Sequence, residues 1–119
     1  MLKVAEVFGK EAALACAKFS VEMRETDRVF LMSGEESGVG LTRFEGGAVR
    51  ISRYLTSGGE QEKELILRTL LLDATRLQGY PVTVEQEGDY SRFGFEKKAD
   101  GWWCMTDKII FPHECKGDR

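Results

Sequence analysis

Two carboxylates and a tyrosine lie close together late in the chain and have the chemistry to move protons. Glu85 and Glu87 precede Tyr90 by a few residues. A phenol with a usual pKa of about 10 stays protonated at neutral pH and can donate a proton, whereas an ionised carboxylate accepts one. The competing interpretations are a tyrosine that covers a sheet edge and carboxylates that are solvated at the surface. Both interpretations remain open at this stage.

The cysteines and the single histidine form a weak pattern for a metal site. Cys104, His113 and Cys115 are three possible metal ligands without a paired Cys-x-x-Cys spacing, so no metal is expected. Cys16 lies among alanines and reads as a small buried residue. An odd number of widely spaced cysteines favours a reducing compartment over a disulfide framework.

The composition is that of an ordinary globular domain. The 119 residues are 42% apolar and 31% charged, which fits one domain spanning residues 1–119, with residues 112–119 as a loose tail. The net charge is -3 and basic residues are mixed with acidic ones, so nucleic acid is not expected as a partner. The N-terminus shows no signal peptide and the apolar runs are far shorter than a bilayer requires. We therefore expect no membrane association and a cytoplasmic location.

Apolar periodicity predicts the order of secondary-structure elements. An amphipathic helix is expected over residues 4–23 and a longer one over 60–78, with Gly79 as its C-cap. In the third strand Val49, Ile51 and Leu55 are predicted to share one face. A hairpin turn is expected at residues 100–101. The strands are predicted at residues 29–32, 39–44, 48–55, 82–85, 93–98 and 102–110.

This order indicates an α/β fold of the mixed α+β kind, a mostly antiparallel sheet flanked by helices. Three antiparallel strands followed by a strand-helix-strand crossover give one parallel strand pair. Ligands tend to bind where such strands part at their carboxyl ends. We therefore expect the binding site between the third strand, which ends at Leu55, and the strand that begins at Val82.

The segment from Tyr90 to Glu96, Tyr-Ser-Arg-Phe-Gly-Phe-Glu, places a tyrosine four residues before the glycine of a Gly-Phe pair. With the order of elements, it resembles the GNAT superfamily of acyl-CoA N-acyltransferases over nearly the whole chain, apart from the family's opening strand, which we expect to be absent. The resemblance implies acetyl transfer from acetyl-CoA to the amine of a small molecule, a peptide or a protein lysine. Tyr90 matches the acid that protonates the departing thiolate, and Glu85 or Glu87 would relay the amine proton.

The same resemblance assigns cofactor binding to the loop before the long helix and to the helix's first turn. Backbone N–H groups there would hold the pyrophosphate at the helix N-terminus. The candidate residues are Leu55, Ser57, Gly58, Gly59, Gln61 and Lys63. The loop departs from the family pattern because Glu60, Glu62 and Glu64 replace the expected basic and glycine positions. These carboxylates favour the helix dipole but repel phosphate.

The acidic loop keeps a second hypothesis open. In it the chain is a catalytically inactive GNAT-like binding or regulatory module that has lost CoA binding, with a homodimer formed through an exposed sheet edge.

Overall fold

A computed structural model describes residues 1–112, which form a seven-stranded mixed sheet with one helix on each face. Neighbouring strands are antiparallel except β4 and β5, which are parallel and joined through α2. The strand order is β1-β2-β3-β4-β5-β7-β6. The elements are β1 (Lys3–Val7), α1 (Gly9–Lys18), β2 (Arg28–Ser33), β3 (Gly38–Glu45), β4 (Ala48–Thr56), α2 (Glu60–Ala74), β5 (Pro81–Val84), β6 (Glu96–Lys98) and β7 (Gly101–Met105), with 3-10 turns at Ser91–Phe93 and Thr106–Lys108.

The two helices cover different parts of the sheet. α2 packs on β3 and β4, where Ile66 and Leu70 are fully buried. α1 packs on β2 and β3 of the opposite face through a smaller cluster that includes Ala12 and Val39. On that opposite face an open depression lies beyond α1, over β4, β5 and β7, and Arg50 and Trp103 line it. The predicted α/β architecture is therefore confirmed.

The opening strand is present, so the helix predicted over residues 4–23 was wrong at both ends. Residues 3–7 pair antiparallel with residues 29–33 of β2 as the edge strand β1. Val4 and Phe8 fit the helical spacing by coincidence, and Phe8 is 71% exposed. α1 begins only at Gly9, and Ser20, with φ of 56°, lies in the left-handed turn after its end.

Three other predicted elements end or begin differently, two of them where a side chain supplies a competing hydrogen bond. α2 stops at Ala74 rather than Gln78, where the Thr75 hydroxyl donates to the Leu72 carbonyl at 2.6 Å. Gly79 consequently lies in the following turn. β7 ends at Met105 rather than residue 110, because the Thr106 hydroxyl donates to the Leu77 carbonyl at 3.1 Å. The strand predicted from residue 93 starts at residue 96, after a 3-10 turn.

A β-bulge changes which residues of β4 face the core. Leu41 of β3 is opposite Arg53, whereas the next residue of β3 is opposite Ile51, so Ser52 is the extra residue. The bulge shifts the alternation by one position. Tyr54 therefore follows Ile51 into the core and is 5% exposed. The predicted inward position of Leu55 was wrong for this reason.

Candidate functional site

β4 and β5 part within a few residues and leave a gap between them. Their parallel pairing covers only residues 49–51 of β4. The Glu85 N–H donates to the Ile51 carbonyl at 3.0 Å, and beyond it a side chain spans the gap, with the Tyr54 N–H donating to Oε1 of Gln86 at 2.8 Å. The gap lies where the sequence predicted a binding site.

We call the depression at this gap the central cleft. It has a volume of about 640 Å³. Four of the residues predicted for the site line it, namely Leu55, Lys63, Glu85 and Glu87. The other described residues that line it are Glu22, Arg24, Asp27, Arg43, Ser52, Arg53 and Gln86. The lining therefore carries as many acidic as basic side chains, which suits a polar ligand.

Arg43 forms the buried part of the cleft wall and contacts three carboxylates. Its side chain is 8% exposed, and it lies 3.0 Å from Glu45, 3.4 Å from Asp27 and 3.7 Å from Glu85. The hydrogen bond that Arg43 donates to Glu45 is the largest influence that raises the pKa of Arg43, and Asp27 and Glu85 add to it. Arg50 lies 3.7 Å from Glu85 and 3.8 Å from Glu45. Arg43 lowers the pKa of Glu45 most, and Arg24 and Arg50 add to the effect. Three carboxylates and three guanidinium groups therefore balance one another in this cluster.

Tyr90 lies in the core beside the cleft, where it pairs with a second tyrosine. It is 2% exposed, and its hydroxyl is 2.8 Å from that of Tyr54 and 3.1 Å from the Gln86 carbonyl. If Tyr90 donates its single proton to Gln86, Tyr54 must donate to Tyr90. A small pocket of about 140 Å³ reaches both hydroxyl-bearing rings and shares Lys63 and Glu87 with the central cleft. The structure thus places Tyr90 next to the cleft lining and connects it to the cleft through these shared residues.

Burial of this tyrosine pair predicts loss of stability at alkaline pH. Burial raises the pKa of both Tyr54 and Tyr90, and the hydrogen bond between the two hydroxyls raises that of Tyr90 further. A raised pKa means that folding favours the protonated phenols, so their contribution is complete below the unfolded pKa of about 10 and is lost progressively as pH rises from there towards the higher folded pKa. We expect the free energy of unfolding to fall above about pH 10. Urea titrations of the wild type and of a Tyr54→Phe/Tyr90→Phe variant between pH 8 and pH 11 test this, and equal pH slopes would contradict it.

The backbone amides of the predicted phosphate loop are bonded to protein acceptors. The Ser57 N–H donates to the Ser37 carbonyl at 2.8 Å, and the Gly58 N–H donates to the Thr56 hydroxyl at 3.0 Å. The Gly59 N–H donates to Oε1 of Glu62 at 2.8 Å. The Glu62 carboxylate therefore occupies an anion position ahead of α2.

Gln61 lies apart from Leu55 and Lys63, and Ser57, Gly58 and Gly59 are not among the described residues that line the central cleft. Gln61 lines a separate depression on α2 together with Glu64, Leu65 and Arg68. The structure therefore brings Lys63 to the gap but directs Gln61 elsewhere on the helix.

Four further residues belong to the site that the sequence did not single out: Asp27, Arg43, Tyr54 and Gln86. The Asp27 side chain is 2% exposed and accepts a hydrogen bond from the Arg24 N–H at 2.8 Å. An arginine between Thr42 and Phe44 in an otherwise apolar strand was the available signal for Arg43. No comparable signal exists for Tyr54, because its inward position depends on the bulge.

Within residues 1–112, no group of three or more histidine, cysteine or acidic side chains is placed to hold a metal ion. His113 and Cys115 lie outside the described residues. Burial raises the pKa of the Cys16 and Cys104 thiols, which lowers their reactivity. Neither described helix has the length and apolar character to span a membrane.

Comparison with known proteins adds one structural relative. No family model and no curated protein sequence matches the chain. The solution NMR structure of the putative N-acetyltransferase YhhK from E. coli, bound to coenzyme A, superposes with a TM-score of 0.60 at 10% identity, over 88% of this chain and 98% of that chain. The chain has a GNAT-like fold. At this identity the GNAT-like fold is established by shape alone, and the chemistry must be argued from the residues of the cleft.

Proposed function

We propose that this protein is an N-acetyltransferase that transfers an acetyl group from acetyl-CoA to a primary amine. The observation that carries the proposal is the gap between β4 and β5, which opens beyond Ile51 and has the start of α2 beside it. The unpaired edges of two parting strands suit an extended ligand that carries amide groups, because such a ligand can add to the sheet as a strand does. The likeness to a fold solved with coenzyme A supports this assignment.

The residues of the gap fit a CoA-type ligand in part. Lys63 lines both the central cleft and the small pocket beside it, so its ammonium group would meet an anionic ligand there. The amides of Ser57, Gly58 and Gly59 would hold the phosphates after exchanging their present acceptors. Leu55 would contact the apolar part of the ligand. Acetyl-CoA supplies the activated acyl group, and the protein supplies orientation and proton transfer.

Proton transfer is assigned to residues on both sides of the gap. Glu85 is half exposed, and with Glu87 it lines the central cleft, where an acceptor amine would lose its proton to it. On the other side, Tyr90 would donate to the departing thiolate with its hydroxyl bonded to that of Tyr54. Burial raises the pKa of both phenols above the usual value of about 10, so both are protonated at neutral pH.

Removing the Glu62 charge is expected to raise CoA affinity while lowering the stability of the free protein. Glu62→Gln removes a carboxylate from the Gly59 amide, and one like-charge contact of about 1 kcal/mol corresponds to roughly a fivefold tighter Kd. Loss of the charged cap should cost up to about 1 kcal/mol of unfolding free energy. Calorimetric titration with CoA and urea unfolding measure the two effects.

Glu60→Gln is the matched control, since it removes the same charge from the same helical turn at an exposed position. We expect a smaller gain in affinity from it. If Glu62→Gln binds CoA no better than Glu60→Gln, Glu62 does not compete with the phosphates.

The activity itself is tested by thiol release. The protein is mixed with acetyl-CoA and a panel of primary amines, and free CoA thiol is followed together with mass spectrometry of the acetylated amine. We expect release that depends on the amine. Release no faster than the protein-free blank across the panel would contradict transferase activity.

A second function is favoured by the internally bonded loop. Since the amides of Ser57, Gly58 and Gly59 are already bonded within the protein, the chain could serve as a binding or regulatory module without CoA, assembled as a homodimer. This alternative predicts no CoA effect on melting and a dimer in sedimentation. A strict monomer would remove its proposed interface.

A further inference from the structure

This inference about the acceptor rests on the proposed transferase function and on the charged groups that the central cleft offers to a ligand. Three members of the Arg43 cluster line the cleft, namely Asp27, Arg43 and Glu85. The Asp27 side chain is 2% exposed and that of Glu85 is 38% exposed, so Glu85 presents the carboxylate that a ligand can reach. We call the side formed by Asp27 and Glu85 the acidic wall. The Glu85 carboxylate suits a protonated amine better than an anion.

The β4 arm of the cleft has the opposite character. Arg53 lies opposite Leu41 of β3, directly after the bulge, and its side chain is exposed. Within residues 1–112 its guanidinium makes no ion pair or side-chain hydrogen bond. Arg53 and the acidic wall line the same cleft. A guanidinium in this setting has donors available for a planar carboxylate, which it can bind through two parallel hydrogen bonds.

We propose that the acceptor is an amine that also carries a carboxylate, in the class of free α-amino acids. Its ammonium group binds at Glu85 on the acidic wall, and its carboxylate binds Arg53. A simple amine satisfies the acidic wall but leaves Arg53 without a partner, and a purely anionic ligand meets the Glu85 carboxylate. The balanced lining of the cleft suits a zwitterion better than either.

The bonds and protons of the transfer balance when Glu85 receives the amine proton and Tyr90 supplies the proton to the thiolate. The ammonium first releases one proton to Glu85, which passes it to water, and the neutral nitrogen forms a bond to the acetyl carbon. The carbon-sulfur bond breaks, and the thiolate takes a proton from Tyr90. The nitrogen gives up its second proton, which reprotonates Tyr90. The products are an N-acetyl amino acid, CoA with a free thiol, and one proton. The product has lost the positive charge that the acidic wall binds, which favours its release.

Matched acceptors test this proposal. Lysine with cadaverine, tyrosine with tyramine and histidine with histamine are pairs that differ by the carboxylate alone. A hydrogen bond to a charged group is worth about 1.5–3 kcal/mol, so kcat/KM should be about 10- to 100-fold higher for the amino acid of the preferred pair. Saturation-transfer NMR with the same pairs, in the presence of CoA, reports binding without turnover and should show the same preference.

Arg53→Met should remove that preference in both assays, whereas Arg53→Lys should keep part of it. The control is Arg76→Met, which removes an exposed arginine bonded to Asp73 at the far end of α2 and should preserve the preference. Circular dichroism confirms that each variant is folded. If decarboxylated amines react and bind equally well or better, the amino-acid proposal is overturned while transferase activity stands. If no pair gives thiol release and none binds, both proposals are overturned.

Discussion

Arg43→Met is expected to lower the free energy of unfolding by about 3–5 kcal/mol, because it leaves a buried carboxylate without its counter-ion. The Asp27 side chain is 2% exposed, and among the described residues its ion-pair partner is the Arg43 guanidinium, at 3.4 Å. Methionine fills a similar volume, so loss of packing contributes little. Urea unfolding at pH 7 measures the change.

Two variants separate the ionic effect from a general effect of losing an arginine. Arg50→Met removes a guanidinium that is 34% exposed and should cost no more than about 1 kcal/mol. Adding Asp27→Leu to Arg43→Met should recover part of the lost stability, because no buried charge then remains unpaired. A loss below about 1 kcal/mol for Arg43→Met would show that the folded protein tolerates the Asp27 carboxylate without the Arg43 guanidinium.

Tyr90→Phe is expected to lower kcat by a factor of about 100 or more while changing the Kd for CoA little. The substitution removes the hydroxyl that would protonate the thiolate and keeps the ring, which packs against Tyr54, Phe95 and Trp102. Steady-state kinetics and calorimetric binding measure the two quantities separately.

Tyr80→Phe serves as the control, since Tyr80 is 43% exposed and packs against Phe44, away from the cleft lining. Tyr54→Phe should also slow the reaction, because its hydroxyl contacts that of Tyr90 at 2.8 Å. The double variant should then be no slower than the slower single variant, as expected of groups that act together. An unchanged kcat for Tyr90→Phe would dismiss Tyr90 as the proton donor.

The parts of the fold that the sequence predicted are those fixed by local chemistry. Gly94 illustrates this: its φ is 90°, and a Cβ there would lie 2.9 Å from the Lys108 carbonyl oxygen. Glycine is thus required by the backbone, which explains why the Tyr-x-x-x-Gly-Phe motif was informative. The helix α2 was likewise predictable from the spacing of its apolar residues, because residues on that face such as Ile66 and Leu70 are fully buried.

The errors arose where tertiary pairing decided the outcome. β1 is an edge strand, and nothing in its own sequence indicates that it pairs with β2. The spacing of Val4 and Phe8 also matches that of a helix. The bulge at Ser52 depends on the register between β3 and β4, so the inward turn of Tyr54 could not be predicted from alternation.

The candidate site was predictable in position and incompletely predictable in composition. The parting of β4 and β5 followed from the order of elements, and Leu55, Lys63 and Glu85 line the resulting cleft. The Arg43 cluster joins residues from the loop before β2, from β3 and from the end of β5, which are distant in sequence. The Gly59 N–H donates a hydrogen bond to Glu62, which gives one carboxylate in the first turn of α2 a structural role. The charge pattern alone suggested only a favourable interaction with the helix dipole.

The binding of CoA tests the central claim most directly. The melting temperature of the wild-type protein is measured with increasing CoA and acetyl-CoA at fixed pH and ionic strength. A ligand at 100 times its Kd stabilises the folded state by about 2.7 kcal/mol, so we predict a melting temperature that rises steadily with ligand concentration and further for Glu62→Gln at equal concentration. A melting temperature that stays constant up to millimolar CoA in both proteins would contradict the transferase assignment.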